Sequence, residues 1–516
     1  MPRHTRPGRS SAVAALVLLL CAAFAFAEGD GDGLARMGLR LTLPATGGKS
    51  AQLSPSGDRT FGAPPASGAG DTGFVSAEQA QYRLKNRKKK KPETALAETA
   101  ARPAARIQDR AQRENAATGI ITGAIPSTAG PLKRTKEEEE PYGPVGVREG
   151  AFLLKPSIDI SAGYDDNPLR LQNGRGSAFT TVKSELNAKS DWSRHELSVD
   201  LRGSFTHYTD IDHNDRPDGA AVVRGRIDVT KTTRIELMET AALTTQSAGT
   251  PDSVTGAKRP PNIYTLGSTV GVVQAFNRFE LGLYGGYERN IYQNADLISG
   301  GVLDLSDSNY NTYSTRLRGS YEVTGGVRPF VEASVDTRVF DHTIDSFGTR
   351  RGSDGMKADV GIAFNRPEII TGEASIGYGR RTYDDPTLPN ISGLMVNSSL
   401  IWKATALTKV TLNVTSTIGE STLTNASGVF THEAKVIVDH AFRRWLIGSA
   451  FASYGVDEYR GIGRVDDRFT YGAALTYYLN RSLALRGELR QERLNSNVPD
   501  NNSMANIVMI GLRLQR

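Results

Sequence analysis

The chain has 516 residues, 38% of them hydrophobic and 23% charged, with a formal net charge of +6. Its one cysteine, Cys21, falls in an expected cleaved leader, which excludes disulfides, thiolate metal sites and a cysteine nucleophile from the mature chain. A mean hydropathy of −0.36 argues against a bundle of apolar helices but not against a membrane barrel, in which half of each strand faces a polar lumen.

The leader reads MPRHTRPGRSSAVAALVLLLCAAFAFA. Arg3, Arg6 and Arg9 form a cationic start, Ala12 to Phe24 is an apolar run, and Ala25-Phe26-Ala27 is a small-x-small cleavage site. We expect a signal peptide over 1–27. The competing reading is an uncleaved anchor, for which the run is short, since a spanning helix needs about 20 apolar residues. Residues 28–150 are rich in Ala, Gly, Pro, Ser and charge, including Arg87-Lys88-Lys89-Lys90-Lys91 and Glu137-Glu138-Glu139-Glu140. No apolar period is sustained there, so a largely disordered periplasmic extension is expected. The segment carries 19 Lys and Arg against 15 Asp and Glu, whereas residues 151–516 carry 40 against 41. The basic pI therefore belongs to the leader and the extension, and the rest is near neutral. The lysine run reads as solvated linker, or as a contact for an anionic lipid headgroup or polymer. Nucleic acid is not an expected partner of an exported chain.

From residue 151 the sequence alternates. In HELSVDLRGSF, Leu197, Val199, Leu201 and Phe205 share one parity, and Glu196, Ser198, Asp200, Arg202 and Ser204 the other. In RFELGLYGGYE, Leu281 and Leu283 stand opposite Glu280 and Tyr284. Side chains alternate across a strand, so each stretch has an apolar and a polar face. A soluble sandwich alternates too, but soluble strands run to about 5 or 6 residues, while these run longer and a tilted membrane strand needs about 9 to 11.

The pattern predicts eighteen strands, at 155–164, 177–190, 195–208, 219–230, 234–245, 263–276, 278–290, 309–322, 328–340, 354–365, 370–383, 392–403, 407–420, 429–441, 445–459, 467–480, 483–494 and 504–514. Short turns such as Phe276-Asn277-Arg278 and Leu479-Asn480-Arg481 alternate with long polar loops such as 209–218, 246–262, 291–308 and 341–354. Short turns on one side and long loops on the other are the signature of a membrane barrel, and an even strand number suits a single-chain one. The predicted fold is thus all-β: a transmembrane antiparallel β-barrel over 151–516.

Aromatic residues punctuate the strand ends. Trp192, Trp402 and Trp445 fall at short turns; Tyr164, Tyr208, Tyr383 and Tyr459 fall where strands meet long loops. We expect interfacial girdles from them, the alternative being ordinary strand aromatics. Parity assigns Arg202, Arg224, Arg226, Arg316, Arg318, Arg338, Arg486 and Arg490 to the lumen, with Asp200, Asp228, Glu322, Glu332, Asp336 and Glu488. An Arg or Lys facing lipid at mid-membrane costs about 2–4 kcal/mol, so these residues should face water or one another. Their mixed signs argue against a strongly ion-selective pore.

The stretches KPSIDISAGYDDNP, SDWSRHEL, TPDSVTGAKRPPNIY, QAFNRFEL, RPFVEASVDTRVFD, TGEASIGYGRRTYDDPTLP and IGLRL resemble the putative beta-barrel porin type 2 family over about residues 145–516. The resemblance implies an outer-membrane barrel of a Gram-negative bacterium, and, for some members, association with exopolysaccharide loci. Partners implied by such a location are outer-membrane lipid and lipopolysaccharide, the barrel assembly machinery, and polysaccharide or envelope proteins.

No catalytic constellation emerges, and no enzyme is expected. The six histidines after the leader form no metal-ligand spacing on one element, and no GxSxG elbow is present. Asp210, Asp212, Asp215 and Asp218 lack the spacing of a calcium loop and read as a polar surface loop, so neither a metal nor a cofactor is expected. The expected function is a passive porin-like channel for polar solutes or saccharides. The alternative is a structural or assembly component of an exopolysaccharide or envelope export system.

Overall fold

The computed structural model describes residues 142–516, apart from 212–213, 247–253, 255–256, 324, 422, 424 and 500. The expected leader and nearly all of the expected extension lie outside the described residues.

Long alternating segments joined by short polar connections form hairpins with their sequence neighbours. The wall is built from β1 (Phe152–Asp165), β2 (Ser177–Ser190), β3 (Glu196–Tyr208), β4 (Arg216–Asp228), β5 (Thr233–Thr245), β6 (Asn262–Phe276), β7 (Phe279–Tyr292), β8 (Tyr310–Tyr321) and β9 (Val327–Phe340). It continues through β10 (Ser353–Arg366), β11 (Ile370–Tyr383), β12 (Ile391–Thr405), β13 (Thr408–Gly419), β14 (Gly428–Arg443), β15 (Leu446–Arg460), β16 (Arg464–Tyr478), β17 (Leu483–Ser496) and β18 (Ser503–Gln515). Every wall strand pairs antiparallel with the next, and β1 pairs with β18 from Ser157↔Gln515 to Asp165↔Ile507. The sheet is therefore a closed antiparallel barrel of eighteen strands. The expected strand bounds differ from these by at most three residues.

Wall strands run from 12 to 16 residues, enough to cross a bilayer at a tilt. Both ends of the wall lie on the short-turn side. There the connection between β6 and β7 is only Asn277 and Arg278, with Asn277 at φ 58°, a conformation asparagine tolerates better than most side chains. The long connection 293–309 on the other side carries a small ribbon, Ala295–Asp296 with Val302–Leu303, and a single 3-10 turn at Ser306–Ser308. One connection departs from the expected pattern. Between β15 and β16 only residues 461–463 intervene, so β16 begins at Arg464 rather than 467. Gly461 and Gly463, at φ 103° and 65°, allow the chain to reverse there without a long loop.

The two faces of the wall differ as the alternation requires. On the outside, Ile158 and Ile160 of β1, Leu281 and Leu283 of β7, Val331 and Val335 of β9, and Leu512 and Leu514 of β18 are exposed. Between them Asp159, Ser161, Tyr284 and Glu332 point inwards and are buried. Adjacent Leu283 and Tyr284 are 55% and 3% exposed, so a single step along the chain moves from the outer surface to the inner wall.

Just ahead of the wall, Val147–Glu149 pairs with the first residues of β1, from Val147↔Leu154 to Glu149↔Phe152. Upstream of it, Tyr142 stacks on Tyr478 at 5.6 Å, and its carbonyl accepts a 2.8 Å hydrogen bond from Gln515 Nε2. Tyr142 thus packs with Ala441, Ile447, Tyr478 and Ala484, inward-facing residues of the short-turn end.

Arg placed at Leu283 should destabilise the folded barrel by about 2–4 kcal/mol, as expected for a cation near the middle of a lipid-facing strand. Denaturant titration of the reconstituted protein, with heat-modifiable gel migration as the folded signal, checks this. Undiminished stability would contradict a lipid-facing outer surface.

Candidate functional site: the charged inner wall

The inner face carries acids and bases on neighbouring strands, and the hairpin register brings them together. Arg224 on β4 lies 3.1 Å from Asp200 on β3, and Arg226 meets Glu196 at 3.5 Å and Asp228 at 3.2 Å. Arg202 stands in register with Glu185 of β2. Arg318 of β8 reaches Glu332 of β9 at 3.3 Å and, over β10, Glu373 of β11 at 2.8 Å. Arg338 pairs with Glu420 just beyond β13, and Arg381 with Asp336. Arg490 lies between Glu488 at 3.1 Å and Glu492 at 2.9 Å, and Arg486 is buried beside them. Glu322 sits in the turn after β8, where Arg328 reaches it at 3.3 Å. Every residue assigned to the lumen by parity, Glu322 aside, thus lies on an inward-facing strand position.

Sequence parity did not single out several members of this network. Arg234 of β5 joins Glu236 at 2.6 Å and Glu280 of β7 at 2.8 Å. Arg513 of β18 closes the circuit across the first strand, meeting Asp159 at 3.2 Å and Glu185 at 3.0 Å. In the first long loop, Arg170 binds Asp165 at 2.9 Å and Glu492 at 2.8 Å.

Arg316 and Arg318 rest on aromatic rings for which glycines make the room. The Arg316 guanidinium lies 4.4 Å from the centre of the Tyr284 ring, and that of Arg318 lies 3.7 Å from the centre of Phe330. The Tyr284 ring lies flat on the wall where Gly271 has no side chain; a Cβ there would stand 2.2 Å from the ring. A Cβ on Gly361 of β10 would likewise stand 2.4 Å from the Phe330 ring. An inward-parity glycine across from an inward aromatic was the signal available in the sequence. Nε and Nη1 of Arg316 are buried without a hydrogen-bond partner, and its nearest acid, Glu332, is 4.0 Å away.

The aromatic residues divide into two sets. Trp192, Trp402, Trp445 and Tyr164 are exposed on the outside, the tryptophans at the short-turn end and Tyr164 at the long-loop end. Trp192 packs edge-on against Phe152 at 5.6 Å, and Trp445 against Tyr477 at 5.2 Å. Tyr208 and Tyr459, however, point inwards and are buried, because each continues the inward parity of its strand to the last turn. Tyr208 packs on Phe179 at 5.7 Å, with Arg216 over its ring. Arg464 lies over Tyr459. Tyr383 is half-buried and packs inwards against Ile391, Met395 and Phe430. An outer girdle position is therefore not open to these three.

The polar candidates in the loops have separate partners. Asp215 lies 2.7 Å from His207 Nδ1, Asp218 accepts the Thr245 amide at 3.1 Å, and Asp212 lies outside the described residues. His432 and His440 are on the outward parity of β14, each against a hydroxyl of β13, Ser416 at 2.9 Å and Thr408 at 3.0 Å. In the long loops, burial pushes the Asp307 carboxyl up, but His342 Nδ1 at 2.6 Å and the Ser346 amide at 2.8 Å outweigh it and hold Asp307 below the usual carboxylate range.

An apolar exterior, a paired-charge interior and an antiparallel sheet closed by its first and last strands define a transmembrane β-barrel. Residues 140–516 match the family described as Putative beta-barrel porin 2, and the chain belongs to it. It is an outer-membrane barrel of porin type. No curated protein matches the sequence. Among solved structures, Pseudomonas aeruginosa OccK2 (OpdF) in complex with glucuronate is similar, at 13% identity over 70% of this chain and 98% of that one, with a TM-score of 0.37. The copper transporter OprC gives 10% identity over 72% and 82%, with a TM-score of 0.41. A BenF-like porin from Pseudomonas fluorescens Pf-5 gives 11% identity over 70% and 99%, with a TM-score of 0.36.

Replacing Arg318 by Met would leave Glu332 and Glu373 on the inner wall without their shared cation. Removing one partner of a buried ion pair costs about 3–5 kcal/mol. Arg318→Met should lower unfolding stability by about that amount, and Glu373→Gln by less, since Arg318 keeps Glu332. Equal stability of Arg318→Met and the parent in denaturant titration would refute the network's structural role.

Proposed function

We propose that the barrel is a passive pore for polar solutes, saccharides among them. The observation that supports this most is the inner wall itself. A face lined with arginine, aspartate and glutamate is costly against lipid and suits water, while the outer face is apolar. Charges of both signs alternate around it, which suits neutral polar or zwitterionic solutes better than one class of ion. An eighteen-stranded wall is in the size range that encloses an aqueous channel.

A second reading, a component of an envelope or exopolysaccharide export system, draws support from Tyr142. The chain ahead of the wall is seated against the inner residues of the short-turn end, where an extension could couple the barrel to periplasmic partners. On either reading we propose that the protein engages outer-membrane lipid and lipopolysaccharide and is inserted by the barrel assembly machinery.

Planar-bilayer recording separates the two. A pore should give discrete conductance steps with weak ion selectivity, and Arg316→Glu should shift the permeability ratio toward cations severalfold without loss of heat-modifiable folding. A folded protein that never conducts would exclude the pore and favour the export component.

A further inference from the structure

At every joint of the wall but one, the ladder reaches the long-loop end of at least one of the two strands or stops within two residues of it. β12 and β13 pair in their short-turn halves, from Thr405↔Thr408 to Ser398↔Val414, and no further. Above that point, residues 391–397 of β12 remain paired to β11, and residues 415–419 of β13 remain paired to β14. The two halves of the wall therefore separate from mid-barrel to the long-loop rim.

The upper ends of β13 and β14 lap inside the wall at this joint. Ile418 and Phe430 are opposite one another, on the parity that faces outwards lower down, where Val436 and Phe442 are exposed. Yet Phe430 is 3% exposed and packs on Ile391 and Met395, which lie on the inner parity of β12. A Cβ on Gly393 of β12 would stand 2.3 Å from the Phe430 ring, so the glycine is what admits the overlap. Across the lumen, Arg338 of β9 holds the end of β13 through Glu420 and through the Ile418 carbonyl at 2.9 Å. Arg351 adds a 2.5 Å bond to the Ser421 carbonyl.

Polar side chains fill the joint where the backbone ladder is absent. Ser416, 3% exposed, accepts from the Val396 amide at 2.9 Å and lies 3.1 Å from the Val396 carbonyl. Around the fork, Asn397 Nδ2, Ser398 Oγ, Ser399 Oγ and Asn413 Oδ1 are all buried without a hydrogen-bond partner. Four such atoms around one fork, Ser398 on the outward parity and the other three on the inward, are costly unless a polar group visits them. In lipid the strongest obstacle to parting a barrel is its backbone hydrogen-bond ladder, and here the upper half of the joint has only side-chain bonds to lose.

We propose that this joint is a lateral opening between the lumen and the outer membrane for an amphipathic molecule. The polar part of such a molecule would pass between β12 and β13 against Asn397, Ser398, Ser399 and Asn413, while its acyl part stays in the bilayer. The overlapped ends of β13 and β14 close the passage, and the Arg338–Glu420 pair is the latch. The proposal stands whether or not the lumen conducts solutes.

The test places a photoreactive benzophenone side chain at Met395, on the inner face behind the overlap, and as a control at Met509, on the inner face of β18 where it is paired to both neighbours. The full chain is reconstituted in phosphatidylethanolamine–phosphatidylglycerol vesicles, checked for heat-modifiable migration and irradiated. Phospholipid adducts should form at 395 and not at 509, and Glu420→Gln should raise the yield at 395 severalfold. Equal yields at the two positions, or no adduct at 395 even with Glu420→Gln, would overturn the proposal. Hydrogen exchange on the unsubstituted chain gives an independent reading if the benzophenone blocks folding. Local opening predicts that residues 391–397 exchange about tenfold or more faster than 398–405 on the same strand. Uniform protection along β12 would sink the lateral opening.

Discussion

Backbone hydrogen bonding in lipid is the constraint on which everything else in this structure depends. No water is available in the hydrocarbon to satisfy an unpaired N–H or C=O, so a sheet that crosses a bilayer must close on itself. The pairing of β1 with β18 removes both edges and makes an inside and an outside. Once closed, the two-residue period of a strand places every other side chain in lipid and the rest in a confined concave space. The charges then have one place to go.

That confinement governs how the inner wall is stabilised. Charges buried against the wall are costly singly and tolerable in pairs. Arg318 reaches past β10 to Glu373 with its guanidinium over the Phe330 ring, and Gly361 of β10 leaves the room for that ring. Tyr284 over Gly271 supports Arg316 in the same way. The small residues therefore support the charge network, since they seat the rings on which these two arginines lie.

The joint between β12 and β13 meets the same constraint by different means. Hydroxyl and amide side chains stand in for the missing ladder, and an overlap of two layers keeps lipid out. This local exception coincides with small polar residues on the outward parity, Ser398 of β12 and Ser416 of β13, where that parity elsewhere favours large apolar side chains.

Most of the architecture was legible in the chain. Strand length, strict alternation and the alternation of short turns with long loops are local properties, and the closed eighteen-strand barrel follows from them with strand bounds within three residues. Parity likewise assigns Leu283 outwards and Arg318 inwards, because a side chain's face is set by its own strand. Local pattern could not say how far a parity reaches at the rim, so Tyr208 and Tyr459 read as interfacial when they point inwards. It could not say that Gly461 and Gly463 turn the chain in three residues. Nor could it place Arg338 against Glu420, or Phe430 against Gly393, since those contacts link strands that are not neighbours in the wall. The sequence by itself determined the class of fold and the face of each strand residue; only the closed tertiary structure decided which charges meet across the lumen and where the wall comes unzipped, because both depend on the curvature that brings distant strands within reach.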